Sequence, residues 1–264
     1  MEIGYVLKQF AAVGIAIPLE FRGFPFYEAV LEMRSELPGL RHVLVIGEKV
    51  PDGALPLKTM MHQPDSVPPG YFDQTRIEAT EVSMIGFTSG TTGMPKGAEH
   101  VQCSRIAMAK GYGAGPRIHG KDIVLNIISP VGGLSSAFTY NGSAALVGAT
   151  VVLLEIWNPE KTFALIEKER ATILLAVPAQ LAQIVQSPDL PYSLAKEVEE
   201  RLKVPVVNFY GQFDAGSIAA VSIDDPPEVR RATVGKPMKE NWMALIGEDG
   251  KEVAPGEIGE VVYT

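Results

Sequence analysis

ATVVLLEIWNPEKTFALIEKERATILLAVP, residues 149–178, decides how the whole chain is read. ATVVLLE (149–155) and ATILLAV (171–177) are unbroken Val/Ile/Leu runs too short for helices. PEKTFALIEKER between them repeats its apolar residues at helical spacing and keeps its charges on the other side. A continuous apolar strand, an amphipathic helix and a second continuous strand make the pattern of a parallel sheet buried on both faces. Pro178 then stands where the first turn of another helix tolerates proline.

The alternation extends in both directions. DIVLNIIS (122–129) is a strand, and LSSAFTYNGSAALVG (134–148) a helix with small residues on its packing face. Upstream, FYEAVLEMRSEL (26–37) is helical and GLRHVLVIGE (39–48) contains a strand; the Pro-, Asp- and Gly-rich residues 49–80 are expected to form a long loop. SMIGF (83–87) is a strand, followed by a glycine-rich turn and a helix expected from about Glu99 to Lys110. Downstream, LAKEVEERL (194–202) is a helix and VPVVNFY (204–210) a further strand. The expected fold is α/β: layered, largely parallel sheets with flanking helices, over residues 1–232. From 233 to 264 short β segments take over, with EDGK as a hairpin turn, and a small C-terminal β-subdomain is expected to begin there.

Composition narrows the function. With 46% hydrophobic and 20% charged residues the chain can build a core. A net charge of −8 and the lack of any basic run exclude a general nucleic-acid binder, which needs clustered cations on phosphates. Cys103 is the single cysteine, so there is no disulfide framework, and four scattered histidines lack metal-ligand spacing. Cys103 itself reads as a buried small hydrophobe rather than a nucleophile. No apolar run is long enough to span a membrane, and MEIGYVLKQF has no secretory-signal pattern, so a cytoplasmic protein is expected.

The turn after SMIGF reads TSGTTGMPKG, residues 88–97. Glycines let backbone amides approach an anion, hydroxyls add donors, a lysine adds a point charge, and a following helix would add its positive end. The P-loop needs glycine before the lysine and Ser or Thr after it; Pro95 and Gly97 stand there, so this is not a P-loop. The dinucleotide G-x-G-x-x-G spacing also fails. A plain surface turn is the bland alternative.

TSGTTGMPKG resembles the signature loop of the adenylate-forming superfamily of acyl-CoA synthetases, peptide-synthetase adenylation domains and luciferases. The segments around EFRGFPFYEAVLEMRSELPGLRHVLVIGE, SPVGGLSSAFTYNGSAALVGATVVLLE and VGKPMKENWMALIGEDGKEV are similar to the same family, so the resemblance covers nearly the whole chain. It implies that the loop holds the β- and γ-phosphates of ATP while a carboxylic acid attacks the α-phosphate, forming an acyl-adenylate. Thr88, Ser89, Gly90, Thr91, Thr92, Gly93 and Lys96 would form the phosphate-binding set, with Lys96 also catalytic.

NFYGQFDAG (208–216) resembles the family's second motif, implying Tyr210 against adenine with Gly211 beside it, and Asp214 as a catalytic carboxylate on Mg²⁺. Here the chain departs from the pattern: Phe213 replaces a threonine and Asp214 a glutamate. Val131 to Leu134 lack the histidine often found near the acyl site. A strand and a glycine-rich turn expected before LAKEVEERL are missing. The family's preceding segment, its ribose-binding aspartate and its C-terminal domain with a catalytic lysine are not found between residues 1 and 264. The resemblance therefore implies a core that binds ATP and Mg²⁺ and activates a small carboxylic acid, with CoA as a possible acceptor. The alternative is a nucleotide-binding module or fragment without turnover of its own. Apolar surface left on such a core favours self-association, so a homo-oligomer is expected.

Of the remaining residues, Glu99 and His100 suit a solvated helix start or the acyl pocket, Met84 and Met108 suit core packing, and His119 suits an ordinary loop.

Overall fold

Val124 and Leu125 are adjacent in the strand predicted at 122–129, and each is completely buried against a different core. Successive strand residues point to opposite faces, so double burial means that helices cover both sides of this sheet. The computed structural model describes residues 2–62, 68–88, 95–128, 137–186, 191–212, 216–239 and 241–263. It separates into two units, Met1–Ile77 with Phe87–Lys96, and Glu78–Gly86 with Gly97–Thr264.

The first unit opens with helix α1 (Glu2–Gln9), strand β1 (Gly14–Pro18) and helix α2 (Phe26–Met33), which tightens into a 3₁₀ turn at Arg34–Glu36. Strand β2 (His42–Ile46) pairs in parallel with β1, Ile15 opposite Val43 and Ile17 opposite Val45. Val43 and Val45 point inward with Leu7, Tyr27, Val30, Leu37 and Leu40. Residues 49–80 are less irregular than expected. They hold a short third parallel strand β3 (Leu55–Pro56) and helices α3 (Leu57–Met61) and α4 (Tyr71–Gln74). Their Pro and Gly content sets the turns between these pieces without preventing them.

Strand β4 (Val82–Thr88) pairs with β5 (Lys96–Val101), and helix α5 (Gln102–Ala114) follows. The second unit is centred on a parallel sheet of β6 (Ile123–Asn126), β7 (Thr150–Leu153) and β8 (Ile173–Leu175), ordered β7-β6-β8. Helix α6 (Ala137–Val147) lies against α5 through small residues: Ser143 Oγ donates to the Ala109 carbonyl at 2.5 Å. A Cβ on Gly142 would stand 3.3 Å from that of Ala109. Helix α7 (Pro159–Glu169) starts at Asn158, whose side chain accepts from Lys161 N at 2.7 Å, a standard way to satisfy a first-turn amide. Helices α8 (Pro178–Val185) and α9 (Pro191–Leu202) contribute Ile184, Val185, Leu194 and Val198 to the core on the Leu125 side. Leu194, Ala195 and Val198 fall on one face of α9, as helical spacing requires.

The expected strand 204–210 is shorter and of another kind. Only Phe209–Gln212 (β9) is extended in a ladder, and it pairs antiparallel with β10 (Gly216–Ala220) rather than joining the parallel sheet. Helix α10 (Pro227–Ala232) and strand β11 (Lys236–Pro237), antiparallel to β10, come next. Last, β12 (Met243–Ile246) pairs antiparallel with β13 (Glu260–Tyr263). EDGK does turn the chain, with Gly247 N donating to Lys251 O at 2.8 Å, but β12 takes its ladder partner from beyond it.

Candidate nucleotide site

The two glycine-bearing motifs are carried on strands. Thr88 ends β4 and Lys96 begins β5. Ser89, Gly90, Thr91, Thr92 and Gly93 lie outside the described residues. Lys96 is exposed, and among the described residues no salt bridge engages it.

The helix expected from Glu99 does not follow the loop. Residues 96–101 are extended and paired with β4, and α5 begins only at Gln102. Past Lys96, outward Gly97 and Glu99 alternate with inward Ala98 and His100, which suits a strand with one covered face. A helix terminus therefore does not immediately follow the loop.

His100 is not a solvated helix-end residue: it is 3% exposed in β5, where its carbonyl accepts from Ser83 Oγ at 3.2 Å. Cys103 is exposed, not buried, because its place on α5 turns it away from the packing face. Met108 does pack in the core beside Tyr112 and Val124. His119 is more than a plain loop residue: its N–H and its ring both meet Asp122 Oδ2, at 2.9 and 3.0 Å.

The second motif forms the β9–β10 hairpin. Tyr210 is half-buried in β9, opposite Ala219, and Gly211 lies opposite Ser217. A register shift between Ser217 and Ala219 re-aims the strand at this point. Gly216 begins β10 with φ +75°, a left-handed conformation that favours glycine, and a Cβ there would push the Met108 side chain aside, its methyl being 2.3 Å away. Gln212 Nε2 donates to the Tyr210 hydroxyl at 3.0 Å, and the Tyr263 hydroxyl of β13 donates to Gln212 Oε1 at 2.7 Å. Phe209 stacks edge-on against Tyr112, ring centres 4.9 Å apart, which anchors β9 to α5. Phe213 and Asp214 lie outside the described residues. Among those described, no group of three or more His, Cys, Asp or Glu is placed to hold a metal ion.

Sequence reasoning passed over the base of this hairpin. Glu199 on α9 and Arg230 on α10 meet at 2.6 Å with side chains 8% and 10% exposed. Arg231 reaches the other Glu199 oxygen at 2.5 Å. Glu199 Oε1 also accepts from Val206 N at 2.9 Å, and Arg230 Nε donates to Val206 O at 3.2 Å. This explains why Val206 joins no ladder: side chains, not a neighbouring strand, satisfy both its N–H and its carbonyl. Burial pushes the Glu199 carboxyl up, but hydrogen bonds from Arg230, the Val206 amide and Arg231, with the Arg230 charge, outweigh it and hold it below the ordinary carboxylate range. In the sequence, Glu199 looks like one more charge on the solvated side of LAKEVEERL.

A sequence model of AMP-binding enzymes matches residues 2–264. The chain belongs to the AMP-binding enzyme family.

Among the family's known members, the indoleacetate–CoA ligase of Aromatoleum aromaticum is 33% identical over 199 residues, covering 68% of this chain and 38% of that enzyme. The salicyl-AMP ligase/salicyl-S-ArCP synthetase of Mycobacterium tuberculosis is 27% identical over 281 residues, 99% of this chain and 48% of the relative. The anthranilate CoA ligase AuaEII, solved in complex with anthranoyl-AMP, superposes with a TM-score of 0.80 at 22% identity over 99% of this chain and 52% of its own. That likeness shows that the α/β fold of this AMP-binding family member is the one found in solved ligases. The chain spans about half the length of these relatives.

Proposed function

We propose that the chain is the ATP-binding core of a carboxylate-activating, acyl-adenylate-forming ligase of the acyl-CoA synthetase type. The match of the AMP-binding family along residues 2–264, signature loop included, carries this reading. The substrate class we propose is an aromatic carboxylic acid, since two of the relatives that match this chain well are named for indoleacetate and salicylate. CoA, or a carrier-protein thiol as in the salicyl relative's name, would be the acceptor.

The chemistry follows from the residue types. The acid's carboxylate oxygen attacks the α-phosphorus of ATP, forming the acyl–O–P bond of the adenylate as the bond to pyrophosphate breaks. Negative charge builds on the departing pyrophosphate. Thr88, Ser89, Gly90, Thr91, Thr92 and Gly93 would supply backbone and hydroxyl donors to it, and Lys96 a mobile positive charge. Tyr210 would pack on adenine with Gly211 giving the base room. Asp214 would hold Mg²⁺, for which a carboxylate is a suitable hard ligand and which neutralises phosphate charge when bound.

Acid-dependent exchange of labelled pyrophosphate into ATP tests the reading, using the full chain with indoleacetate, salicylate, anthranilate and benzoate. Exchange with one or more of these acids supports adenylation. Binding of Mg-ATP by calorimetry without exchange for any acid would replace it with a nucleotide-binding module that has no turnover of its own.

A further inference from the structure

The β9–β10 hairpin carries Tyr210 near its closed end, while its open end is held by a single guanidinium. Before β9, Arg230 Nε donates to Val206 O at 3.2 Å. After β10, Arg230 Nη1 donates to Asp225 O at 2.8 Å and Ile223 O at 3.4 Å. Its own carbonyl accepts from Asn208 Nδ2 at 2.8 Å, one residue before β9 begins. Val221 N donates to Asn208 O at 3.0 Å and closes the two arms on each other.

A guanidinium this buried needs a counter-charge, and Glu199 supplies it while also accepting the Val206 amide. Both sides of the Val206 peptide are thus set by charged side chains whose geometry depends on Glu199. A shift at Val206 would pass through Asn208 to Phe209 and Tyr210, whose ladder partners are Ala220 and Ala219.

We propose that Glu199 is a positioning residue for nucleotide binding: through Arg230 and Val206 it fixes the strand that presents Tyr210. The proposal rests on the reading of Tyr210 as the adenine contact. It assigns to a helix-borne acid, outside both glycine-bearing motifs, a share of the affinity for ATP.

The full chain is compared with Glu199→Ala, Glu199→Gln and Val198→Ala. Val198 is a neighbouring α9 core residue, 2% exposed, with no part in the clasp. Native-state amide exchange is measured as the ratio of the rate over 206–212 to that over β6, which cancels global destabilisation. Glu199→Ala should raise this ratio about tenfold, the effect of losing one buried charged hydrogen bond. It should also raise the Mg-ATP Kd about tenfold, a loss of that same size. Val198→Ala should lower Tm and leave both the ratio and the Kd unchanged. Glu199→Gln, which keeps an acceptor for Val206 N, should fall between, and serves for comparison if the alanine variant does not fold. Equal ratios in the Glu199 and Val198 variants would overturn the proposal. If the unmodified chain binds no Mg-ATP, the nucleotide reading fails and the exchange ratio alone decides the clasp.

Discussion

Glu199 Oε1 lies 2.6 Å from Arg230 Nη2, and the same oxygen accepts the Val206 amide at 2.9 Å. One buried carboxylate therefore ties two helices to the segment that leads into β9, and its ionisation is linked to folding. Its folded-state affinity for protons is below that of an ordinary carboxyl. Its contribution is thus fully present above the unfolded pKa, about 4.3, and is lost as pH falls through the lower folded value. Glu199→Gln should cost about 3–5 kcal/mol at pH 7, the usual penalty for leaving a buried partner charge uncompensated. Chemical denaturation at a series of pH values should show this gap narrowing below about pH 4. A gap that stays constant into acid would mean the pair does not govern stability as described.

Among the described glycines of the second unit, Gly235 makes the tightest backbone approach. Its φ is +83°, and a Cβ would stand 1.9 Å from the Ala220 carbonyl oxygen, a backbone atom that cannot step aside cheaply. Gly235→Ala should cost about 3 kcal/mol or more, from left-handed strain plus displacement of β10 against β11. Urea unfolding is the measurement. A loss below about 1 kcal/mol would show that the turn relaxes freely.

Asn126 ends β6 and is 1% exposed. Its Nδ2 donates to Asn141 Oδ1 at 3.1 Å, and its Oδ1 accepts from Ile128 N at 3.0 Å. Asn126→Leu keeps the volume and strands both partners, each orphaned group costing about 1–3 kcal/mol. Calorimetric Tm should fall clearly. An unchanged Tm would show that neither bond matters to the fold.

Lys96 is exposed on β5. Lys96→Ala should leave stability within about 0.5 kcal/mol, as is usual for surface positions. If the loop cradles phosphate, Mg-ATP affinity should drop roughly tenfold to a hundredfold, the range for losing one charged hydrogen bond. Unaltered affinity with a normal melt would count against the loop as a phosphate site.

Tyr210 offers a finer separation. Its hydroxyl accepts from Gln212, an exposed bond with little energy at stake. Tyr210→Phe should keep nucleotide affinity almost whole, and Tyr210→Ala should lose about 1–3 kcal/mol if the ring stacks on adenine. Comparable losses in both variants would assign the role to the hydroxyl instead.

The elements legible in the sequence are those whose reason is local. Helix α7 was readable from Pro159 and its amphipathic repeat, and β7 and β8 from unbroken apolar runs flanking it. The elements misread had partners elsewhere. Residues 96–101 are a strand because β4 lies beside them, overriding whatever helical tendency begins at Glu99. VPVVNFY has the composition of a buried parallel strand, yet only its last two residues enter β9, since Glu199 and Arg230 occupy the Val206 peptide.

By itself the sequence determined the α/β class, the order of most elements and the loop TSGTTGMPKG, because periodicity, glycine spacing and residue chemistry act over a few neighbours at a time. Tertiary structure alone decided that a strand rather than a helix follows this loop, and that the Tyr210 hairpin is antiparallel. It alone decided that Glu199, one acid among several on α9, is buried against two arginines. The reason is the same in each case: a peptide group or a charge takes its lowest free energy from whatever partner the fold brings to it, and that partner lies outside the few residues whose pattern predicts the element.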